Sequence, residues 1–60
     1  MDGKHKMPIA FQMALAHNEA SMNAFLKMSN EHQDKIISKA NEIKTVREMH
    51  NFVESIRKMY

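Results

Sequence analysis

Four histidines, His5, His17, His32 and His50, are the side chains of this sequence best suited to chemistry, because neutral imidazole is the commonest metal ligand and titrates near neutral pH. A helical zinc site needs two of them one turn apart, as in H-E-x-x-H. No two of the four stand at i, i+3 or i, i+4, and each falls on a polar or boundary position, so the spacing points to solvated or capping histidines. No metal and no other cofactor is expected. The carboxylates Glu31, Asp34, Glu42, Glu48 and Glu54 occupy outward helical positions with no apolar pocket to raise a pKa, and no serine lies in a strained turn beside a base. With no cysteine there is also no thiol nucleophile, thiolate site or disulfide. The residue types give no reason to read an enzyme.

Phosphate contact is the other chemistry open to these residues. Lys35, Lys39, Lys44 and Arg47 flank the junction of two helical patterns, the layout of a helix-turn-helix. Against it, the outward face of the last helix carries Glu48 and Glu54 beside Asn51 and Arg57, and carboxylates there repel a nucleic-acid backbone. The turn also lacks glycine. Nine Lys and Arg against seven Asp and Glu, dispersed along the chain, give a net charge of only +2. Nucleic-acid binding is therefore the second reading.

The elements that must position these residues are helices. Thr45-Val46-Arg47-Glu48 is a T-x-x-E capping box between two amphipathic segments, and it fixes where one helix stops and the next begins. Before it, Ile36, Ile37, Ala40 and Ile43 recur at helical spacing, with Ser29 or Asn30 as cap, which predicts a helix over 30–43. After it, Val46, Met49, Phe52, Val53, Ile56 and Met59 predict another over 46–59. Only Lys44 and Thr45 remain to connect them, so the two should pack as a tight corner or hairpin.

The first half is less regular. Gly3 and Pro8 are the only Gly and Pro, and Pro8 suits the first turn of a helix, which leaves 1–7 as a polar, mobile leader and 8–60 as one helical domain. Phe11, Leu15, Met22, Phe25 and Leu26 share a stripe that Asn18 interrupts. Asn is a strong N-cap and Glu19 suits a first turn, so a break at His17-Asn18 is favoured over one continuous helix. The expectation is an all-α bundle of three to four short helices, about 8–16, 19–27, 30–43 and 46–59. Its core should comprise Phe25, Leu26, Ile36, Ile37, Ile43, Met49, Phe52, Val53 and Ile56, with Phe52→Ala costing about 3 kcal/mol or more.

Leu15-Ala16-His17-Asn18, Ala20, Phe25 and Met28-Ser29, followed by a helix and a Thr-capped final helix, together resemble the C-terminal helical module of the YdeI/OmpD-associated, bacteriocin-protection proteins. Small stand-alone bacterial proteins share that layout. The resemblance spans roughly residues 12–58 and is carried by hydrophobic spacings and caps. Where that family has an aromatic and arginine-rich stretch in its later helices, this chain has Ile36, Ile37 and Glu48. The resemblance implies a helical bundle and no enzyme chemistry.

Sixty residues bury only about 60% of the surface an unfolded chain exposes, so the core is small and self-association is one route to stability. The longest early uncharged stretch, Met7 to Asn18, falls short of the roughly 20 residues of a membrane span, and it lacks a convincing signal-peptide cleavage site. A cytoplasmic protein is expected. Seven methionines are unusual. Met13, Met22, Met28, Met49 and Met59 suit an adaptable contact surface as well as core, core being the commoner use. If the first segment is one continuous helix, a second apolar stripe, Ile9, Met13, Ala16, Ala20 and Ala24, lies roughly opposite the Phe11 stripe and needs a partner of its own. These patterns point to a non-catalytic module acting by protein–protein contact, with an unknown partner or its own copy, through Ile9, Met13 and Leu15.

Overall fold

The computed structural model describes residues 7–59, and of the expected leader over 1–7 all but Met7 lies outside them. Four α-helices follow one another: α1 (Ile9–Ala16), α2 (Glu19–Leu26), α3 (Asn30–Ala40) and α4 (Val46–Ile56), the last running into a 3-10 turn over Arg57–Met59. Among the described residues there is no strand. Met7, assigned to the leader from sequence, belongs to the fold: it is half-buried against the core, and its carbonyl accepts from Gln12 Nε2 at 2.9 Å.

Each helix start is explained by one residue. Pro8 precedes α1 with no side-chain cap, as expected of a residue whose missing N–H costs nothing there. Asn18, Ser29 and Thr45 cap the other three, each accepting through its side-chain oxygen from the amide three residues on, Ser21, His32 and Glu48 respectively, all at 3.1 Å. The break at His17-Asn18 is thus present. Thr45→Ala removes one of these acceptors and should cost about 1 kcal/mol, lowering the melting temperature by roughly 4–8 °C in a domain this small. A calorimetric scan with no shift would place the start of α4 elsewhere.

The helix ends follow from the absence of glycine beyond Gly3. No described residue has a positive φ, so none of these helices uses the left-handed C-terminal motif. They tighten instead into i→i+3 bonds: Asn18 N–H to Leu15, Met28 N–H to Phe25, Glu42 N–H to Lys39 and Ile43 N–H to Ala40. This winding-down shortens α3 from the expected 30–43 to Asn30–Ala40. Five residues, 41–45, therefore connect α3 to α4, and the expected tight hairpin of those two helices is not formed. Instead α4 runs closest to α1 and α2, while α3 makes few close backbone approaches and joins through its side chains.

Phe11, Leu15, Val53 and Ile56 are essentially inaccessible and form the centre of the core, with Ala14, Ala24, Phe25, Met28, Ile36, Ile37, Ala40 and Met49 around them. Three expectations change. Leu26 is 63% exposed, because the break rotates α2 relative to α1 and its Phe25 side turns inward instead. Ile43 and Phe52 pack only half-buried at the margin. From the second stripe, Ala24 is core and Ala20 is exposed. Met28 and Met49 are buried, Met22 is partly buried, and Met13 and Met59 face outward, so the methionines divide between both expected uses.

Candidate functional site

α1 determines what this bundle leaves open. Its eight residues, Ile-Ala-Phe-Gln-Met-Ala-Leu-Ala, include one polar and no charged side chain. A helix apolar on every side belongs in an interior, yet only the Phe11, Ala14 and Leu15 side of α1 is buried here. Ile9 is 73% and Met13 58% exposed. Leu15, expected beside them as a contact residue, is 2% exposed and belongs to the core. Because α1 is apolar all round, periodicity did not distinguish its inward from its outward side.

Between α1 and α4 runs an open groove of about 500 Å³, lined by Ala10, Met13, Ala14 and His17 from α1 and by Val46, Met49 and His50 from α4. Buried Ala14 and Met49 form its floor, and Met13 with 70%-exposed Val46 form its apolar edges. The volume lies within the range of small-ligand and side-chain pockets, roughly 300–1,000 Å³. Val46, read from sequence as part of the α4 packing stripe, lines this groove instead. His17 and His50, thirty-three positions apart in sequence, meet at the same groove, which a search for ligands at i, i+3 and i+4 does not detect. Among the described residues no three His, Cys, Asp or Glu side chains group as a metal site would require.

A polar clamp closes one side of the α1–α4 contact. Asn18 caps α2 with its oxygen and donates through Nδ2 to Glu54 Oε1 at 2.9 Å, while Arg57 Nε donates to the other carboxylate oxygen. Glu54 was expected to be a freely solvated acid and is in fact the acceptor that ties the α1–α2 junction to α4. The hydrogen bond from Arg57, and after it that from Asn18, holds its carboxyl below the usual pKa. Ser21, fully buried, donates its hydroxyl to the Val53 carbonyl and fastens α2 to α4 in the same region. Gln33 Nε2 donates to the Phe25 carbonyl at 2.8 Å and attaches α3 to α2.

The four cations considered for phosphate contact are all exposed. Lys35 stands near Ser29, Glu31 and His32 at the start of α3, with Lys39 one turn along. Lys44 and Arg47 flank Val46 at the start of α4. No helix of the described residues is long and apolar enough to cross a membrane. No family model matches the chain, and no curated protein or solved structure does so either.

Proposed function

We propose that this chain is a small, non-catalytic helical module that acts by protein–protein contact through the α1–α4 groove and the adjoining outer face of α1. The observation that carries this reading is α1 itself, an uncharged helix with Ile9 and Met13 exposed beside an apolar groove. Exposed apolar side chains scattered singly need no explanation, but a contiguous set around a concavity marks contact surfaces in soluble proteins. The reading rests on that geometry and not on the resemblance to the bacteriocin-protection family.

Two substitutions test it. Met13→Lys and Val46→Lys place a charge on opposite edges of the groove, at positions that contribute little to the core, so both variants should keep wild-type helical content by circular dichroism. Each should abolish partner capture or concentration-dependent association of the tagged chain. Retained association in both variants would overturn the groove reading. Tight DNA binding by the wild-type chain, lost as salt rises and weakened by Lys35→Glu or Lys39→Glu, would favour the nucleic-acid reading in its place.

A further inference from the structure

His17 and His50 share the lining of the α1–α4 groove with two thioethers, those of Met13 and Met49. On α1, Met13 and His17 stand one turn apart on a single face, because His17 continues the helical backbone as C-terminal cap with φ −89° and ψ 0°. On α4, Met49 is buried in the floor and His50, next to it in sequence, is exposed. Ala10, Ala14 and Val46 complete the lining, which therefore contains two imidazoles, two sulfurs and no Lys, Arg, Asp or Glu. The remaining described histidine, His32, lines a separate concavity with Ser29, Glu31 and Lys35, which offers a carboxylate and an ammonium but no sulfur.

A donor set of that composition discriminates among metals. Zinc sites are built from at least three nitrogen, carboxylate or thiolate donors, and among the described residues no third His, Cys, Asp or Glu joins these two imidazoles. Magnesium and calcium need oxygen ligands, which no side chain of the lining supplies. A thioether is a soft, uncharged donor that selects copper(I), and imidazole suits copper as well. Charge points the same way. The desolvation cost of an ion rises with the square of its charge, and neutral ligands in an apolar lining return nothing by ion pairing, so a monovalent ion enters this groove at far lower cost than a divalent one. Met13, 58% exposed and with three rotatable side-chain bonds, can turn its sulfur inward from the edge without disturbing the core. We propose that the α1–α4 groove is a copper(I) site, with an imidazole nitrogen from each of His17 and His50 and the Met13 sulfur as ligands, and the Met49 sulfur approaching from the floor. The site occupies the same groove as the contact reading and does not depend on it.

The experiment titrates the full chain anaerobically with copper(I) against a chromogenic copper(I) chelator, and with silver(I), an air-stable ion of the same charge and similar softness, for NMR. Silver(I) should shift the methyl signals of Met13 and Met49 and the ring nitrogens of His17 and His50, and leave Met28, Met59 and His32 in place. Zinc(II) at equal concentration should not compete for copper(I). Met13→Leu keeps the apolar edge and removes only the sulfur. That variant, His17→Gln and His50→Gln should each lower copper(I) affinity at least about tenfold with circular dichroism unchanged, since even groups outside the ligand shell alter metal affinity by about 10–100-fold. Met59→Leu should change nothing. Unaltered affinity in the double variant His17→Gln, His50→Gln would overturn the site, and so would zinc(II) binding as tightly as copper(I). Because Met13→Leu leaves the groove apolar, it should spare the association that Met13→Lys and Val46→Lys abolish, so the metal site and the contact reading fail separately.

Discussion

Phe11→Ala should remove most of the stability of the fold. Phe11 has no accessible surface, and its ring meets Phe25 edge-on at 5.7 Å between centroids and Phe52 at 6.1 Å in a tilted contact. Truncating a buried Phe costs about 3–5 kcal/mol, from lost transfer energy and from the cavity that remains. Sixty residues at typical stability per residue provide only about 3–9 kcal/mol in total. The cost is comparable with that total, so urea titration followed by circular dichroism should show the unfolding midpoint shifted down by half or more. Phe52→Ala should be milder, about 2 kcal/mol, because that ring is only half-buried and its site is open to solvent on one side. This reverses the ranking expected from periodicity, where Phe52 belonged to the core and Phe11 to an ambiguous stripe. A variant series in which Phe52→Ala proves the costlier change would mean that the core is centred on α4 and not between α1, α2 and α4.

What the sequence made legible depended on whether the deciding interaction was local. Caps are local, and Asn18, Ser29 and Thr45 all start helices where their types and neighbours indicated. The apolar period of α4 placed Met49, Val53 and Ile56 inward correctly. The end of α3 was not legible, because the chain has no glycine there to mark it; Asn41 ends the helix, with both its backbone N–H and its side-chain Nδ2 donating to the Ile37 carbonyl. Leu26 was misplaced for a related reason. A stripe drawn at 100° per residue holds only while the helix continues, and the break at Asn18 resets the phase of everything after it.

The candidate groove was harder still to foresee. Ile9 and Met13 were legible as surplus apolar surface, since α1 has more of it than its neighbours can cover. Val46, His17 and His50 were not, because what brings them together is the approach of α1 to α4, a contact between segments about thirty positions apart. The pairing of Glu54 with Asn18 is a long-range contact of the same kind, and it was read as solvated because its own helix face gave no hint of a partner.

Asn18→Ala should be the most damaging single change on the surface of the fold. It removes the acceptor for the Ser21 amide, a capping loss of about 1 kcal/mol, and with it the donor that ties Glu54 to the α1–α2 junction. Asn18→Asp separates the two roles, since aspartate still caps α2 but presents a carboxylate to Glu54 instead of a donor. It should therefore keep the helix start and lose the clamp, leaving α1 less firmly held against α4. The pH dependence carries the same signature. Because the folded state lowers the Glu54 pKa below its ordinary value of 4.5, the clamp contributes fully above that value and is lost as pH falls through the lowered one. Wild-type stability should consequently decline below about pH 4.5 more steeply than that of Glu54→Gln, which carries no proton-linked pairing with Arg57. Parallel acid titrations of the two proteins, read by thermal melting at each pH, check this directly. Identical slopes would show that the Asn18–Glu54–Arg57 arrangement adds nothing to stability, and that the α1–α4 approach is held by Phe11, Met49 and Val53 alone.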